Sequence, residues 1–370
     1  MRFIKPSASL LFIFLFTLLG TVSAWADIDG FIVWQPTPGG ISYVLPKVKG
    51  VEMNEFVATY LQKMKASKVY GKMDGAQTIN LSTAPETFHP LPVGTTEHPN
   101  VVVVLNRPYQ MASGNTYVPH VIQSFEQEGP RLFAIPVGLE RTLSPKDMEA
   151  YRKQLNSFDG QLGIGGDDPH PKTYGQRSTK FTNGDISAKR DIEQTKYLKE
   201  YLVNGKGRVF YICGSMQRAA IVDGHGFRDE IHHFTQGVHR SADGPAMVEV
   251  VVTPGSEPYY AAGRKSRFMT SNVHHAAVDP TQTQVGMQPT SQITAYNIEP
   301  DGSRGTIVKS IDFADNAGFA TQFHPEFRGS AEEDHIVAYV ATGWKMQGRY
   351  PAAEVMSCLE RHLRARLKAP

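Results

Sequence analysis

Cysteine is scarce in this 370-residue chain, and so are long apolar runs and any excess of one charge. Only Cys213 and Cys358 are present, which excludes a scaffold held together by many disulfides. A formal net charge of +2 gives no global attraction to nucleic acid or anionic lipid. Beyond residue 26, no stretch is long and apolar enough to cross a membrane. We therefore predict neither nucleic acid nor a membrane as a partner of the mature protein.

The first 26 residues have the pattern of an export signal. Arg2 and Lys5 precede an apolar run from Leu10 to Leu19, and an Ala-x-Ala cleavage site follows at Ala24–Ala26. The alternative is a membrane anchor, for which the apolar run is short. The two cations are the only charged residues of this segment, so the net charge of +2 falls to zero without it. We expect an exported protein, periplasmic or secreted, that begins near Asp27.

Histidine clusters raise the alternative of a metal site in the second half of the chain. The residues concerned are His225, His232, His233 and His239. Their spacing fits no standard ligand pattern for zinc, and solvated or core histidines explain them better. We predict no metal site and no cofactor.

Alternating strand and helix patterns begin at about Pro99. The continuous apolar run Val101–Leu105 is typical of a strand buried on both faces. Ser144, Pro145 and Asp147 form a helix start with proline at the first helical position. This β-α-β-α order predicts an α/β fold, an open, mostly parallel, doubly wound (flavodoxin-like) sheet with helices on both faces. Ligands of such sheets bind beyond the carboxyl ends of the strands.

The residues between the signal and this α/β region have a different pattern. Two β-rich runs within 31–45 flank a Pro/Gly turn and predict a hairpin, and a helix begins near Asn54. A mixed connection over 71–98 follows. We therefore divide the chain into a signal peptide (1–26), a small N-terminal α+β extension (27–98) and a main domain (99–370).

Cys213 lies where a predicted strand meets a predicted helix. The apolar run Val209–Ile212 precedes it, and the helical stretch Ser215–Val222 follows. A thiol at such a turn has the geometry of a nucleophile elbow, and the helix N-terminus favours its thiolate form. A lone cysteine after a strand is otherwise most often a small core residue. We expect Cys213 and Cys358 both to be free thiols.

A second motif, Gln-Phe-His324-Pro-Glu326, follows later in the chain. Residues two apart in an extended segment face the same side, so we expect His324 and Glu326 to project together. A histidine can take the proton of a cysteine, and a carboxylate can fix the tautomer of that histidine. Cys213, His324 and Glu326 are therefore the predicted catalytic triad. The alternative interpretation of this motif is an edge strand that ends in a turn.

These motifs resemble those of the class I glutamine amidotransferase superfamily. The resemblance lies in Ile-Cys-Gly-Ser-Met-Gln (212–217) and Gln-Phe-His-Pro-Glu (322–326), in this order. A third motif, Ile-Gly-Gly-Asp-Asp-Pro-His-Pro-Lys-Thr-Tyr-Gly (164–175), resembles the gamma-glutamyl-gamma-aminobutyrate hydrolase family, relatives of gamma-glutamyl hydrolase. The resemblance covers roughly residues 99–369. It implies that the main domain is a cysteine-dependent hydrolase of gamma-glutamyl amide bonds, acting on a small molecule or peptide through a thioester.

An oxyanion hole is expected beside the nucleophile. The backbone N–H of Gly214, directly after Cys213, is one candidate donor. The resemblance implies that the second donor comes from Gly165 and Gly166, where the absence of side chains lets backbone approach the substrate. A tight turn is the alternative explanation of this glycine pair.

Three further residues are implied near the substrate. Gln217 matches the glutamine of the family motif and is expected to line the pocket; a solvated or capping side chain is the alternative. The stretch Asn272-Val-His274-His275 resembles a Ser-x-His-His stretch of the family, and its two histidines are expected near bound substrate.

The elbow departs from the family pattern at three positions. The family usually has Arg directly after the cysteine and Gly one position later, where this chain has Gly214 and Ser215. Two positions before the cysteine, Tyr211 replaces the usual Gly or Ala. We expect the turn to survive, since glycine suits a strained backbone. Two other functions stay open: a catalytically silent binding protein, and an amidotransferase subunit that passes ammonia to a synthetase. Export and the absence of a fused synthetase domain argue against the latter.

Overall fold

The computed structural model describes most of the chain after the predicted signal peptide. The described residues are 28–36, 40–66, 88–106, 108–111, 115–177, 179, 188–231, 234–237, 239 and 245–368. The predicted signal peptide and most of the expected connection over 71–98 lie outside them. Within the described ranges, no helix combines the length and the apolar character that a membrane span requires.

Strands and helices alternate between residues 100 and 223 of the described chain, and strands predominate from residue 225 to 321. The strands are β1 (Ile28–Trp34), β2 (Tyr43–Val48), β3 (Phe88–Pro90), β4 (Asn100–Val104), β5 (Arg131–Ile135), β6 (Gly160–Gly163), β7 (Arg208–Ile212), β8 (His225–Arg228), β9 (Ala246–Val252), β10 (Arg267–Asn272), β11 (Ala277–Thr283), β12 (Gln292–Ile298), β13 (Arg304–Phe313) and β14 (Gly318–Thr321). The α-helices are α1 (Met53–Lys65), α2 (Tyr117–Glu126), α3 (Pro145–Leu155), α4 (Ala188–Asn204), α5 (Gly214–Asp223), α6 (Glu257–Ala261), α7 (Ala331–Lys345) and α8 (Ala352–Lys368).

One large mixed sheet forms the centre of the molecule. Its strand order is β10-β9-β12-β13-β14-β7-β6-β4-β5-β2-β1-β3. The strands from β14 to β2 in this order run parallel, and antiparallel strands extend the sheet on both sides. The helices form two contacting groups, one of α3, α4 and α5 and one of α2, α6, α7 and α8. The predicted doubly wound α/β fold is confirmed.

Burial explains why the central strands form where the sequence is continuously apolar. Every residue of β4 and of β7 is buried, as expected for parallel strands covered by helices on both faces. Each buried valine, leucine, isoleucine or phenylalanine side chain stabilises the fold by about 1.5–3 kcal/mol. The predicted start of α3 is also present, because the Ser144 side chain accepts a hydrogen bond from the N–H of Asp147.

The N-terminal extension continues the central sheet. Strand β2 pairs in parallel with β5 through Tyr43 and Ala134, and β1 forms the predicted hairpin with β2. The hydroxyl of Tyr60 on α1 donates to the carbonyl of Val137 at 2.8 Å. The short strand β3, at the end of the expected connection, pairs with β1 at the sheet edge. Residues 28–66 therefore share one core with the main domain.

Candidate active site

The backbone turns sharply at Cys213, at the carboxyl end of β7. Cys213 has φ 51° and ψ −112°, a backbone conformation that residues other than glycine rarely adopt, and it directly precedes α5. Its N–H donates to the carbonyl of Thr321 on the neighbouring strand at 2.7 Å. Strained backbone of this kind is typical of functional sites. The predicted strand-to-helix turn is thus present, with the thiol-bearing residue 5% exposed.

The unusual residues around the elbow fit because of a glycine on the next strand. The Tyr211 hydroxyl donates to Oε1 of Gln161 at 2.7 Å, and the Ser215 hydroxyl donates to the carbonyl of Ile164 at 2.7 Å. Both side chains lie against Gly163. A Cβ at that position would be 2.7 Å from Cβ of Ser215 and 2.9 Å from Cδ1 of Tyr211. The side chains of Tyr211 and Ser215 therefore occupy the space that a side chain at position 163 of β6 would fill.

His324 and Glu326 form a buried pair. The Nδ1 atom of His324 lies 2.8 Å from Oε1 of Glu326. The expected extended segment is wrong, however, because β14 ends at Thr321 and Pro325–Phe327 form a 3-10 turn. The turn closes with a hydrogen bond from the N–H of Phe327 to the carbonyl of His324. The two side chains meet through this turn and not through strand alternation.

Opposing effects set the protonation of His324. Burial alone would lower its pKa, but the negative charges of Glu326 and Cys213 outweigh burial and raise the pKa to about 10. Among the residues that the structure describes, Nε2 of His324 has no hydrogen-bond partner. The thiol of Cys213 is nevertheless close enough to contribute to the raised pKa of His324. The imidazole is therefore oriented through Nδ1, and its other nitrogen is free to exchange a proton with a reacting group.

The glycine-rich loop after β6 lies beside both the thiol and the imidazole. A Cβ at Gly165 would be 2.8 Å from Cε1 of His324 and 3.4 Å from Cβ of Cys213. A Cβ at Gly166 would clash with the side chain of Asn106. Only glycine allows this approach, so the alternative of an ordinary tight turn does not explain the pair. This loop also lies close to Gly214, the first residue of α5, because a Cβ at Gly214 would be 2.8 Å from the carbonyl oxygen of Asp167.

Tyr117 is a site residue that the sequence does not reveal. Its hydroxyl donates to Oε1 of Glu326 at 2.9 Å and accepts the backbone N–H of Gly165. Burial first, and then the charges of Glu326 and Cys213, raise the pKa of Tyr117 well above its ordinary value, so it stays a donor. The residue stands in the first turn of α2, where an aromatic side chain gives no signal of a functional role.

Two glutamines connect the nucleophile with the opposite side of the site. Nε2 of Gln322 lies 3.5 Å from Sγ of Cys213, and its Oε1 accepts from Nε2 of Gln217 at 3.2 Å. Gln217 also donates to the carbonyl of Ala276 at 3.1 Å and is fully buried. The alternative of a solvated or capping Gln217 is therefore wrong. Gln322 belongs to the histidine motif, and its contact with the thiol was not predicted.

The two adjacent histidines have different surroundings. His275 is partly exposed, and its Nε2 lies 3.0 Å from Oδ2 of Asp168 in the glycine-rich loop. His274 is buried, and its Nδ1 lies 2.9 Å from the carbonyl of Ala276, the same carbonyl that Gln217 contacts. Burial, followed by the charge of Lys309, lowers the pKa of His274 well below its ordinary value.

Lys309 forms a fully buried polar centre under this region. Its Nζ lies 2.8 Å from Nε2 of His274, 2.9 Å from Nδ1 of His239 and 2.5 Å from Oδ1 of Asn272. Burial lowers the pKa of Lys309 well below its ordinary value. The sequence gives no sign of this cluster, because its members come from three separate segments.

Neither metal ligation nor a disulfide involves the described cysteines and histidines. Within the described part of the chain, no group of three or more His, Cys, Asp or Glu side chains could hold a metal ion. His225 contacts Ser291, whereas His232 and His233 lie outside the described residues. Cys213 and Cys358 are both free thiols.

Comparisons with known proteins agree with the resemblance of the motifs. The family model of Peptidase C26 matches residues 110–326, more than half of the chain. No curated protein matches the sequence. Among solved structures, a GMP synthase subunit protein of Thermoplasma acidophilum has 12% identity and a TM-score of 0.42, covering 73% of this chain and 99% of its own. The glutaminase domain of Trypanosoma brucei CTPS with bound acivicin has 18% identity and a TM-score of 0.46, covering 68% and 95%. The chain belongs to the Peptidase C26 family, which is class I glutamine amidotransferase-like and of the cysteine-dependent amidohydrolase and amidotransferase type.

Proposed function

We propose that this protein hydrolyses gamma-glutamyl amide bonds of a small molecule or peptide through a thioester on Cys213. The observation that carries the proposal is the pairing of His324 with Glu326 through Nδ1, with Nε2 unpaired among the described residues. A Cβ at Gly165 would lie within 3.4 Å of both the strained cysteine and this oriented histidine. A nucleophile, an acid–base group and side-chain-free backbone are thus within reach of one carbonyl carbon.

Acylation begins with attack of the Cys213 thiolate on the gamma-carbonyl carbon. The carbonyl electrons move to oxygen, and the N–H groups of Gly214 and Gly166 stabilise the oxyanion. When the tetrahedral intermediate collapses, the C–N bond breaks and Nε2–H of His324 protonates the departing amine. The products are a free amine and a glutamyl thioester on the enzyme. Glu326 stabilises the imidazolium until it gives up its proton.

Deacylation uses the same groups in reverse. The neutral His324 removes a proton from a water molecule, which attacks the thioester carbonyl. The same oxyanion donors stabilise the second tetrahedral intermediate. Its collapse breaks the C–S bond, so that free glutamate leaves and the thiolate–imidazolium pair is restored. No oxidant, reductant or metal is needed to balance these steps.

The hydrogen-bond network around the elbow favours hydrolysis over a catalytically silent role. Tyr211 and Ser215 make hydrogen bonds that keep the turn, and Gln322 and Tyr117 contact the thiol and the Glu326 carboxylate. Buried polar groups destabilise a fold unless they are hydrogen-bonded. The hydrogen bonds of this network therefore hold the elbow and the carboxylate in one fixed geometry. A glutaminase that passes ammonia to a synthetase uses the same acylation step. It differs from the proposed hydrolase in its substrate, because it acts on glutamine.

A panel of amides tests the proposal. The purified protein should release glutamate from several gamma-glutamyl amides, whereas the matching alpha-glutamyl isomers should stay intact. Cys213→Ala should abolish release, and Cys358→Ala, which changes a thiol on α8, should keep wild-type rates. Turnover confined to glutamine would favour the amidotransferase alternative, and absence of turnover on the whole panel would favour the binding protein.

A further inference from the structure

Arg218 and Asp191 form a buried ion pair directly behind the elbow. Nε of Arg218 lies 2.5 Å from Oδ1 of Asp191, with the side chains 1% and 0% exposed. Buried charges are tolerated only when their remaining donors and acceptors are also satisfied. The second carboxylate oxygen accepts the N–H of His170 at 2.9 Å. The pair thus connects α5 with α4 and with the glycine-rich segment.

The guanidinium binds the backbone on both sides of the proposed oxyanion hole. Nη1 donates to the carbonyls of Asp167 and Gly214, each at 2.9 Å, and Nη2 donates to the carbonyl of Asp168 at 3.2 Å. Asp167 and Asp168 directly follow Gly165 and Gly166. One planar group therefore fixes the distance between the glycine-rich loop and the first residue of α5.

Gly214 makes room for this arrangement. A Cβ at Gly214 would lie 2.8 Å from the carbonyl oxygen of Asp167 and 3.1 Å from Nη1 of Arg218. Residues 214 and 218 are four apart on a helix and so share one face. Position 214 has no side chain, and the guanidinium of Arg218 lies against it.

We propose that Arg218 is the positioning residue of the oxyanion hole. It holds the carbonyls of Asp167 and Asp168 beside Gly214 and thereby keeps the glycine-rich loop and the start of α5 next to the same oxyanion position. This inference rests on the proposed function for its catalytic consequence. The clamping of the loop itself is independent of the substrate.

Two variants separate this role from general destabilisation. Arg218→Lys keeps the charge beside Asp191 but loses the planar fork that reaches three carbonyls. The double variant Arg218→Met, Asp191→Asn removes both charges together and leaves no unpaired one. Arg152→Lys is the matched control, because Arg152 pairs with Glu193 between α3 and α4, away from the elbow.

The kinetic readout separates the oxyanion hole from the nucleophile. For both Arg218 variants, kcat on a gamma-glutamyl amide should fall by roughly 100-fold, the typical effect of losing an oxyanion donor, with KM within about threefold of wild type. Alkylation of Cys213 by iodoacetamide develops no oxyanion, so its rate should stay within about twofold. The Arg152→Lys control should match wild type in both assays. Unchanged kcat, or an alkylation rate that falls in parallel with kcat, would overturn the proposal.

Amide hydrogen exchange tests the clamp if the wild-type protein hydrolyses none of the amides. Peptides covering residues 165–168 should exchange faster in both variants than in wild type, and β4 peptides should keep their protection. Wild-type exchange in the loop would overturn the positioning role by itself. Failure of hydrolysis in the wild type, with faster loop exchange in the variants, would instead refute only the proposed function.

Discussion

At the scale of single residues, the site depends on a histidine whose two ring nitrogens have different surroundings. Nδ1 of His324 contacts Glu326 at 2.8 Å, and Nε2 has no hydrogen-bond partner in the described residues. Burial opposes the charged ring, but the two neighbouring negative charges raise its pKa to about 10. The ring is therefore protonated at neutral pH, the form needed to protonate a departing amine.

The pH profile of hydrolysis tests this balance of charges. In the wild type, kcat/KM should fall only above about pH 10, since His324 loses its proton there and the leaving amine then has no donor. Glu326→Gln removes the negative charge that raises this pKa, so the falling limb should move to lower pH. Rates from pH 6 to 10.5, with circular dichroism to verify folding, measure both profiles. If the falling limb of the pH profile stayed at the same pH in Glu326→Gln, a group other than His324 would be responsible for it.

Three short motifs contain residues that the structure brings together. Cys213, His324 and Gly165, one from each motif, are neighbours. Tyr117 and Arg218 could not be predicted, because their contacts depend on how remote segments pack. In the sequence, a buried Arg–Asp pair cannot be distinguished from two solvated charges on separate helices.

At the scale of secondary structure elements, β13 carries a titratable group away from the elbow. Asp312 accepts hydrogen bonds from the N–H of Glu257 and the hydroxyl of Thr294, both at 2.8 Å. Burial is the main cause that raises its pKa to about 7, and the nearby charge of Glu257 adds to it. The carboxyl joins β13, β12 and the start of α6.

Stability should therefore depend on pH through Asp312. The folded state keeps a proton that the unfolded state loses near pH 4, so this contribution is complete below about pH 4 and disappears as pH rises through 7. Asp312→Asn should remove the corresponding fall in unfolding free energy between pH 5 and 8, on the order of 2 kcal/mol given the partial exposure of the carboxyl. Urea unfolding at several pH values measures it. Asp301→Asn, in an exposed turn, is the control. Equal slopes in Asp312→Asn and wild type would contradict the assignment.

Apolar patterning predicts some elements and misses others for a physical reason. Strands β4 and β7 are continuously buried and are evident from the sequence. Strand β10 was not predicted, because three of its buried residues, Thr270, Ser271 and Asn272, are polar. Glu333 on α7 accepts the N–H of Ser271 on β10 at 2.6 Å, so paired polar groups replace the expected apolar ones.

At the scale of the whole molecule, the parallel strands explain where the site is. The carboxyl ends of β6, β7 and β14 are adjacent in the sheet, and they lead into the glycine-rich loop, the elbow and the histidine turn. A parallel sheet directs these ends to one edge, where ligands of such folds bind. The sequence predicts this edge, but not that β1, β2 and β3 extend the same sheet, since pairing of β2 with β5 joins distant parts of the chain.

The central claim is that Cys213 carries the acyl group during turnover. Acid quenching of the protein within its first turnovers on a gamma-glutamyl amide, followed by peptide mass spectrometry, tests it most directly. We expect a glutamyl group in thioester linkage on the Cys213 peptide, removable by hydroxylamine, and none on the Cys358 peptide. Glutamate release by the Cys213→Ala variant at the wild-type rate, with no acylated peptide at any time, would show that Cys213 does not carry the acyl group.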